Sequence, residues 1–267
     1  MKIGIISAAV AAVVLLLVGL VAPVITAAVL MALLSAASVY EFGRATGASK
    51  YMLPFIISLL FALYIPMWAY FGGKTVFLLL GIIVFVIVQS AWLMIKNTKP
   101  GLNQVAVFLL ASVLIPFAFA VPVKLALIGR GQFLLPFVLA FVSDAGAYFV
   151  GTYLGKHQAL PELSPKKTYE GIIGGLLASC IAAVIFCFIV FLLKFRVAWL
   201  GVIVYGILCS AISQFGGSVF TCLKRHCGVP SFGKLIPGLG GILDRVDSVI
   251  FCAPFTMMLL LAMPLFS

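Results

Sequence analysis

The sequence predicts an all-α, polytopic integral membrane protein with about nine transmembrane helices and its N-terminus in the cytoplasm. Three observations carry this reading. First, 65% of the 267 residues are hydrophobic and 9% are charged, whereas about 25% of a soluble domain is charged. Second, the apolar residues fall in runs of about 20, the length a helix needs to cross a bilayer core. Helices and closed barrels alone satisfy their own backbone hydrogen bonds there. Third, Lys and Arg are unevenly shared between alternate loops. With the N-terminus inside, 12 of the 17 bases fall on the cytoplasmic side, among them Lys2, Arg44, Lys156, Lys224 and Lys234. The other five are Lys74, Lys124, Arg130, Lys194 and Arg196, and such a bias sets orientation. The net charge of +11 reflects a shortage of acids, six in all. It points to topology and anionic lipid headgroups rather than to nucleic acid.

The predicted spans are roughly 4–22, 24–41, 52–72, 75–95, 103–122, 132–154, 169–193, 197–222 and 243–265. Met1-Lys2 and the following apolar run read as a retained first span, because no small-residue cleavage site precedes a polar mature domain. Pro23 ends that helix, and Gly72-Gly73, Pro100-Gly101 and Gly129-Arg130-Gly131 mark later turns. The six cysteines have no CxxC spacing, which argues against a disulfide framework or a zinc site. The chain divides into an N-terminal transmembrane scaffold, 1–131, and a C-terminal catalytic-type half, 132–267, with cytoplasmic loops 155–168 and 223–242. The first five helices are nearly featureless and read as scaffold, lipid contact and subunit packing, with a homodimer as the candidate assembly. Glu41, at the end of helix two, reads as interfacial.

The second half carries the chemistry. Asp144 falls near the middle of helix six, where an ionisable group is expensive and faces a polar cavity or a partner. Tyr148 lies one turn on, on the same face. The structural alternative is a single Asp hydrogen-bonded between helices. Ser164-Pro165 is read as opening helix seven, with Lys166, Lys167 and Thr168 in its first turn, where free backbone N–H groups suit a phosphate. Positive-inside charge alone is the competing account.

Residues 216–248 hold two of the six acids and four of the seventeen bases. Lys224-Arg225 follow helix eight, and Pro237-Gly238 with Gly240-Gly241 form a loop whose backbone can approach phosphates. Asp244 and Asp247 sit at i and i+3 near the start of helix nine, on one face. Hard oxygen ligands beside Lys and Arg suit a magnesium-bound triphosphate, whose transfer chemistry needs mainly positioning and charge neutralisation. The bland reading is an interfacial Asp244-Arg245 charge pair favoured by the helix N-terminus.

These residues resemble the signature of the phosphatidate cytidylyltransferases, or CDP-diacylglycerol synthases. The likeness rests on Lys224-Arg225, Gly233, Pro237-Gly238, Gly240-Gly241, Asp244-Arg245 and Asp247-Ser248, and on Asp144, Gly146-Ala147-Tyr148, Gly151, Gly155-Lys156, Ser164 through Thr168 and Glu170-Gly171. The resemblance implies a multi-pass protein of the cell (inner) membrane, its site facing the cytoplasm. It implies synthesis of CDP-diacylglycerol and pyrophosphate from CTP and phosphatidic acid, with Mg2+. It also implies Asp244 and Asp247 as metal ligands, and Asp244, Asp247, Lys224 and Arg225 as catalytic. Asp144, Tyr148, Ser164, Lys166, Lys167, Thr168, Glu170, Gly240, Gly241 and Arg245 are then substrate-binding. The chain departs from that family at Gly217, where Asp is usual, at Phe220 and Thr221 (Glu and Ser), at Pro230-Ser231 (Lys-Asp) and at Leu239 (His). The alternative is a catalytically impaired or non-catalytic lipid- or nucleotide-binding protein on the same scaffold. A transporter is disfavoured, because Asp144 is the sole acid near a midplane.

Overall fold

A computed structural model describes residues 2–93, 102–161, 164–192, 197–236 and 240–265. Among them the chain runs through nine α-helices: α1 Lys2–Leu20, α2 Val24–Ala45, α3 Met52–Tyr70, α4 Thr75–Leu93, α5 Leu102–Ile128, α6 Arg130–Tyr153, α7 Tyr169–Leu192, α8 Trp199–His226 and α9 Leu243–Ala262. Two short strands, β1 Gln158–Leu160 and β2 Ser164–Thr168, join α6 to α7. Eight helices among the described residues, α2 to α9, are long and apolar enough to cross a membrane, and α1 adds a shorter apolar stretch, Ala9–Leu20. Helices such as α4 and α7 are apolar on every side, as lipid contact demands. By contrast α2, α8 and α9 are one-sided and carry buried polar residues, Glu41, Gln214 and Ser248 among them.

The contacts group the chain into two units, Met1–Arg130 with Lys224–Arg245, and Gly131–Leu223 with Val246–Ser267. In the first, α2, α3 and α5 pack on one another around Ala28, Met31, Ile65 and Phe119. One buried polar side chain there bridges α4 and α3. Gln89 donates to the Pro54 carbonyl at 3.0 Å and to the Ser58 hydroxyl at 3.1 Å. Residues 224–245 group by their contacts with the first unit.

In the second unit α6 and α7 approach closely. A Cβ on Gly146 would overlap Ala178 and come within 3.0 Å of the Gly174 carbonyl, so only glycine permits that spacing. Ser143 and Ser210 share a hydrogen bond of 2.6 Å between α6 and α8, and the Tyr205 hydroxyl donates to the Met263 carbonyl at 2.9 Å.

The entry to α7 differs from the expectation. Ser164-Pro165 does not open a helix; residues 164–168 form β2, paired antiparallel with β1 through Gln158↔Thr168 and Leu160↔Ser164. Proline clashes with a helical residue before it, which keeps Ser164 extended. The helix begins at Tyr169, and Thr168 caps it by accepting the Gly171 N–H at 3.1 Å. Lys167 is thus presented by a strand, not by the first turn of a helix.

Candidate functional site

A cavity of about 280 Å3 lies within the second unit. It is lined from four helices and the hairpin: Asp144 and Tyr148 of α6, Ser164, Lys167 and Thr168 of β2, Gly171 and Ile172 of α7, Gln214, Gly217, Ser218 and Thr221 of α8, and Asp247 and Ser248 of α9. Six residues singled out in the sequence meet there: Asp144, Tyr148, Ser164, Lys167, Thr168 and Asp247. Local structure places each one. The pairing of β2 with β1 presents Lys167 to α8, where its ammonium donates to the Gln214 carbonyl at 2.8 Å and the Ser218 hydroxyl at 2.6 Å. Ser218 in turn donates to the same carbonyl at 2.7 Å. An ammonium has three N–H donors; two hold β2 to α8, and among the described residues the third has no acceptor and can serve a ligand.

The acids are joined through Ser248. Its hydroxyl donates to Asp144 Oδ2 in a short hydrogen bond and lies 3.2 Å from Asp247 Oδ1, which also accepts the Ser248 backbone N–H at 2.8 Å. Burial pushes the Lys167 ammonium below the usual lysine range, and the Asp144 and Asp247 carboxylates pull it partly back. A half-buried cation, two carboxylates and several hydroxyls around one small space suit a phosphorylated ligand better than a neutral one. The cation takes phosphate oxygens, and the acids supply hard oxygen donors for a divalent ion.

The first unit holds a separate polar cluster. Asp244, in the first turn of α9, accepts from Lys224 Nζ at 3.0 Å on one carboxylate oxygen. Its other oxygen accepts from the Ser231 hydroxyl at 2.6 Å, the Phe232 N–H at 3.1 Å and the Gly241 N–H at 3.2 Å. The Lys224 and Asp244 side chains are 19% and 8% exposed, and the ammonium also lies over the Phe232 ring, 5.7 Å from its centre. Gly240, in the left-handed region at φ 92°, donates its N–H to the Ile236 carbonyl at 3.2 Å. The two glycine N–H groups expected to approach phosphate are therefore engaged by Ile236 and Asp244.

The remaining candidates lie elsewhere. Glu170 accepts from the Lys156 and His157 N–H groups at 3.1 and 3.3 Å and pairs with the His157 ring at 2.7 Å, which ties the hairpin to α7. Arg225 and Arg245 are exposed, at the end of α8 and in the first turns of α9. The Lys166 side chain, Pro237, Gly238 and Leu239 lie outside the described residues. Glu41 is not interfacial: it is 2% exposed, and its carboxylate accepts the Leu243 N–H at 2.9 Å. The loop that follows α8 covers it, and the unpaired amide at the start of α9 attracts it.

Sequence reasoning assigned no role to Gln214, Ser218, Ser248 or Glu41. Serines and a glutamine in apolar helices carry little signal alone. Glu41 was flagged only by being the one acid in the first 143 residues.

The cytidylyltransferase family model matches residues 2–263. A phosphatidate cytidylyltransferase from Staphylococcus haemolyticus (strain JCSC1435) is 42% identical over 136 residues, 51% of either chain. That of Bacillus subtilis (strain 168) is 40% identical over 123 residues, 46% of this chain and 45% of the other. That of Staphylococcus aureus (strain COL) is 40% identical over 134 residues, 50% of each. These alignments span about half the length of the curated relatives.

Proposed function

Because the chain belongs to the cytidylyltransferase family, we propose that it is a membrane phosphatidate cytidylyltransferase, converting CTP and phosphatidic acid to CDP-diacylglycerol and pyrophosphate. The observation that carries this reading is the Lys167 cavity, with its one uncommitted ammonium donor and two carboxylates. We read α1 as the ninth span, the N-terminus as cytoplasmic, and the cavity as opening on the cytoplasmic face of the cell membrane. The base asymmetry supports that orientation.

In this reading the phosphatidate phosphate oxygen attacks the α-phosphorus of CTP. A P–O bond forms there as the bond to the bridging oxygen breaks, and pyrophosphate leaves with the electron pair. Lys167 holds a phosphate oxygen, while the Ser218 and Thr221 hydroxyls line the wall beside it. Ser248 keeps Asp144 and Asp247 oriented toward one another.

The donor set fits magnesium only in part. Asp244 already has a donor on one oxygen and three on the other, so binding an ion there requires displacing Lys224 or the loop. Among the described residues no three of His, Cys, Asp and Glu converge. Two carboxylates suffice for Mg2+, which is usually held by one or two acids with substrate phosphates and water. Asp144 and Asp247 are therefore the proposed ligands. The ion would neutralise charge on the triphosphate.

Gly217 supports the second reading, an impaired or purely binding protein, since it leaves a wall of the cavity without the acid usual in the resembled family. A Cβ at Gly217 would meet the Ser248 hydroxyl at 3.6 Å, an ordinary contact, so the backbone there tolerates a side chain. Detergent-purified protein given CTP, phosphatidic acid and magnesium is expected to release pyrophosphate and CDP-diacylglycerol, and Gly217→Asp to raise kcat at least tenfold. Turnover by neither protein would overturn the enzymatic reading. Full turnover without any gain in Gly217→Asp would remove the impaired one.

A further inference from the structure

Glu41 and Asp244 are 203 positions apart in the sequence and meet the same short loop. Glu41 Oε2 accepts the Leu243 N–H at 2.9 Å, at the start of α9. Its Oε1 is buried without a hydrogen-bond partner among the described residues. Two glycines press on this carboxylate. A Cβ on Gly233 would overlap it, and one on Gly241 would stand 2.5 Å from Oε2 and 2.9 Å from Asp244 Oδ2. Real Cβ atoms do not come so close. Gly241 therefore threads between the two acids, and its N–H is one of the donors that orient Asp244. The neighbouring Phe42 ring packs on Phe232, 5.7 Å between centres, and the Phe232 N–H also donates to Asp244. The end of α2 thus grips the loop at two of the three loop residues that hold Asp244.

We infer that Glu41 is a positioning residue for the Asp244–Lys224 pair, and that Gly233 and Gly241 are glycines because of the Glu41 carboxylate. This assigns a role at the Asp244–Lys224 cluster of the first unit to the otherwise featureless N-terminal scaffold. The effect on turnover rests on the cytidylyltransferase reading; the effect on the loop does not.

The test uses the full chain in detergent, with trypsin cleavage after the exposed Lys234 reporting loop opening. Glu41→Ala is expected to speed cleavage at least tenfold. Glu41→Gln keeps an acceptor for the Leu243 N–H and is expected to stay within threefold of the parent. Gly233→Ala is expected to open the loop when Glu41 is present and to add nothing in the Glu41→Ala background. If Glu41→Ala does not fold, Glu41→Asp, one methylene shorter, is expected to tolerate Gly233→Ala better than the parent does. In the turnover assay Glu41→Ala is expected to lower kcat at least tenfold with KM for CTP within threefold, since the nucleotide is proposed to bind at Lys167. Unchanged cleavage in Glu41→Ala, or in Glu41→Asp should it replace it, would overturn the proposal, as would additive effects of the glycine and Glu41 changes. A proportional rise in KM with unchanged kcat would reduce Glu41 to an anchor of the fold. A parent chain without turnover would count against the cytidylyltransferase reading alone, because cleavage still decides the role of Glu41.

Discussion

Lys167→Met is expected to lower kcat/KM for CTP by about 100-fold, the range of one charge-assisted hydrogen bond of about 1.5–3 kcal/mol. Methionine keeps the length and the apolar stem, so the change isolates the ammonium. The loss includes a positioning share, because the same nitrogen ties β2 to the Gln214 carbonyl and Ser218. Lys167→Arg keeps the charge and is expected to recover most of the loss. The pH profile separates charge from tether. Burial depresses the Lys167 ammonium below the usual lysine range, and only the protonated form binds phosphate. As pH rises through that depressed value, kcat/KM should fall, earlier than an ordinary lysine would cause, and Lys167→Arg should move this alkaline limb out of range. Stability should move the other way. Between the depressed folded value and the ordinary unfolded one the unfolded chain binds more protons, so folding becomes more favourable as pH rises through that window. Opposite slopes of activity and stability, both lost in Lys167→Met, are the expected result. Wild-type kcat/KM in Lys167→Met would remove Lys167 from the site.

Lys167 also marks how far the sequence was legible. Composition and run length were enough for a helical membrane protein, because burying so much apolar surface has no other solution. Asp144 was legible for a related reason: the cost of an acid in a span demands a polar partner, and Ser248 is that partner. Lys167 was picked out as a cation in the first turn of a helix, and the structure places it on a strand lining the cavity. Local signals at Ser164-Pro165 suit both a helix opening and a strand, and the pairing with Gln158–Leu160 decides between them. Glu41 was read as interfacial because its partner, the Leu243 N–H, is 202 residues away. No periodicity or spacing rule reaches across that distance. The same limit applies to Asp244. Spacing puts it on one helical face with Asp247, but only the folded loop, through Ser231, Phe232 and Gly241, reveals that its oxygens are taken.

Asp144→Asn combined with Asp247→Asn is expected to abolish Mn2+ binding followed by electron paramagnetic resonance, while Asp244→Asn should leave it within threefold. Asp144 and Asp247 meet at the Ser248 hydroxyl and both line the cavity, so an ion placed there lies beside two carboxylates. At Asp244 it must displace an ammonium and three further donors. The cost of changing Asp244 should appear elsewhere. Removing one member of a largely buried ion pair leaves an uncompensated charge and costs about 3–5 kcal/mol, whereas replacing both members with apolar residues is often close to neutral. Asp244→Asn should therefore lower the melting temperature clearly, and Lys224→Met with Asp244→Leu should recover much of it. Turnover should be lost in both, because the loop that Asp244 holds from α9 is released. If Asp244→Asn instead abolishes Mn2+ binding with little change in melting temperature, Asp244 is a ligand and Lys224 yields its place to the ion. The two acids three residues apart on α9 would then act as one pair, as their spacing first suggested.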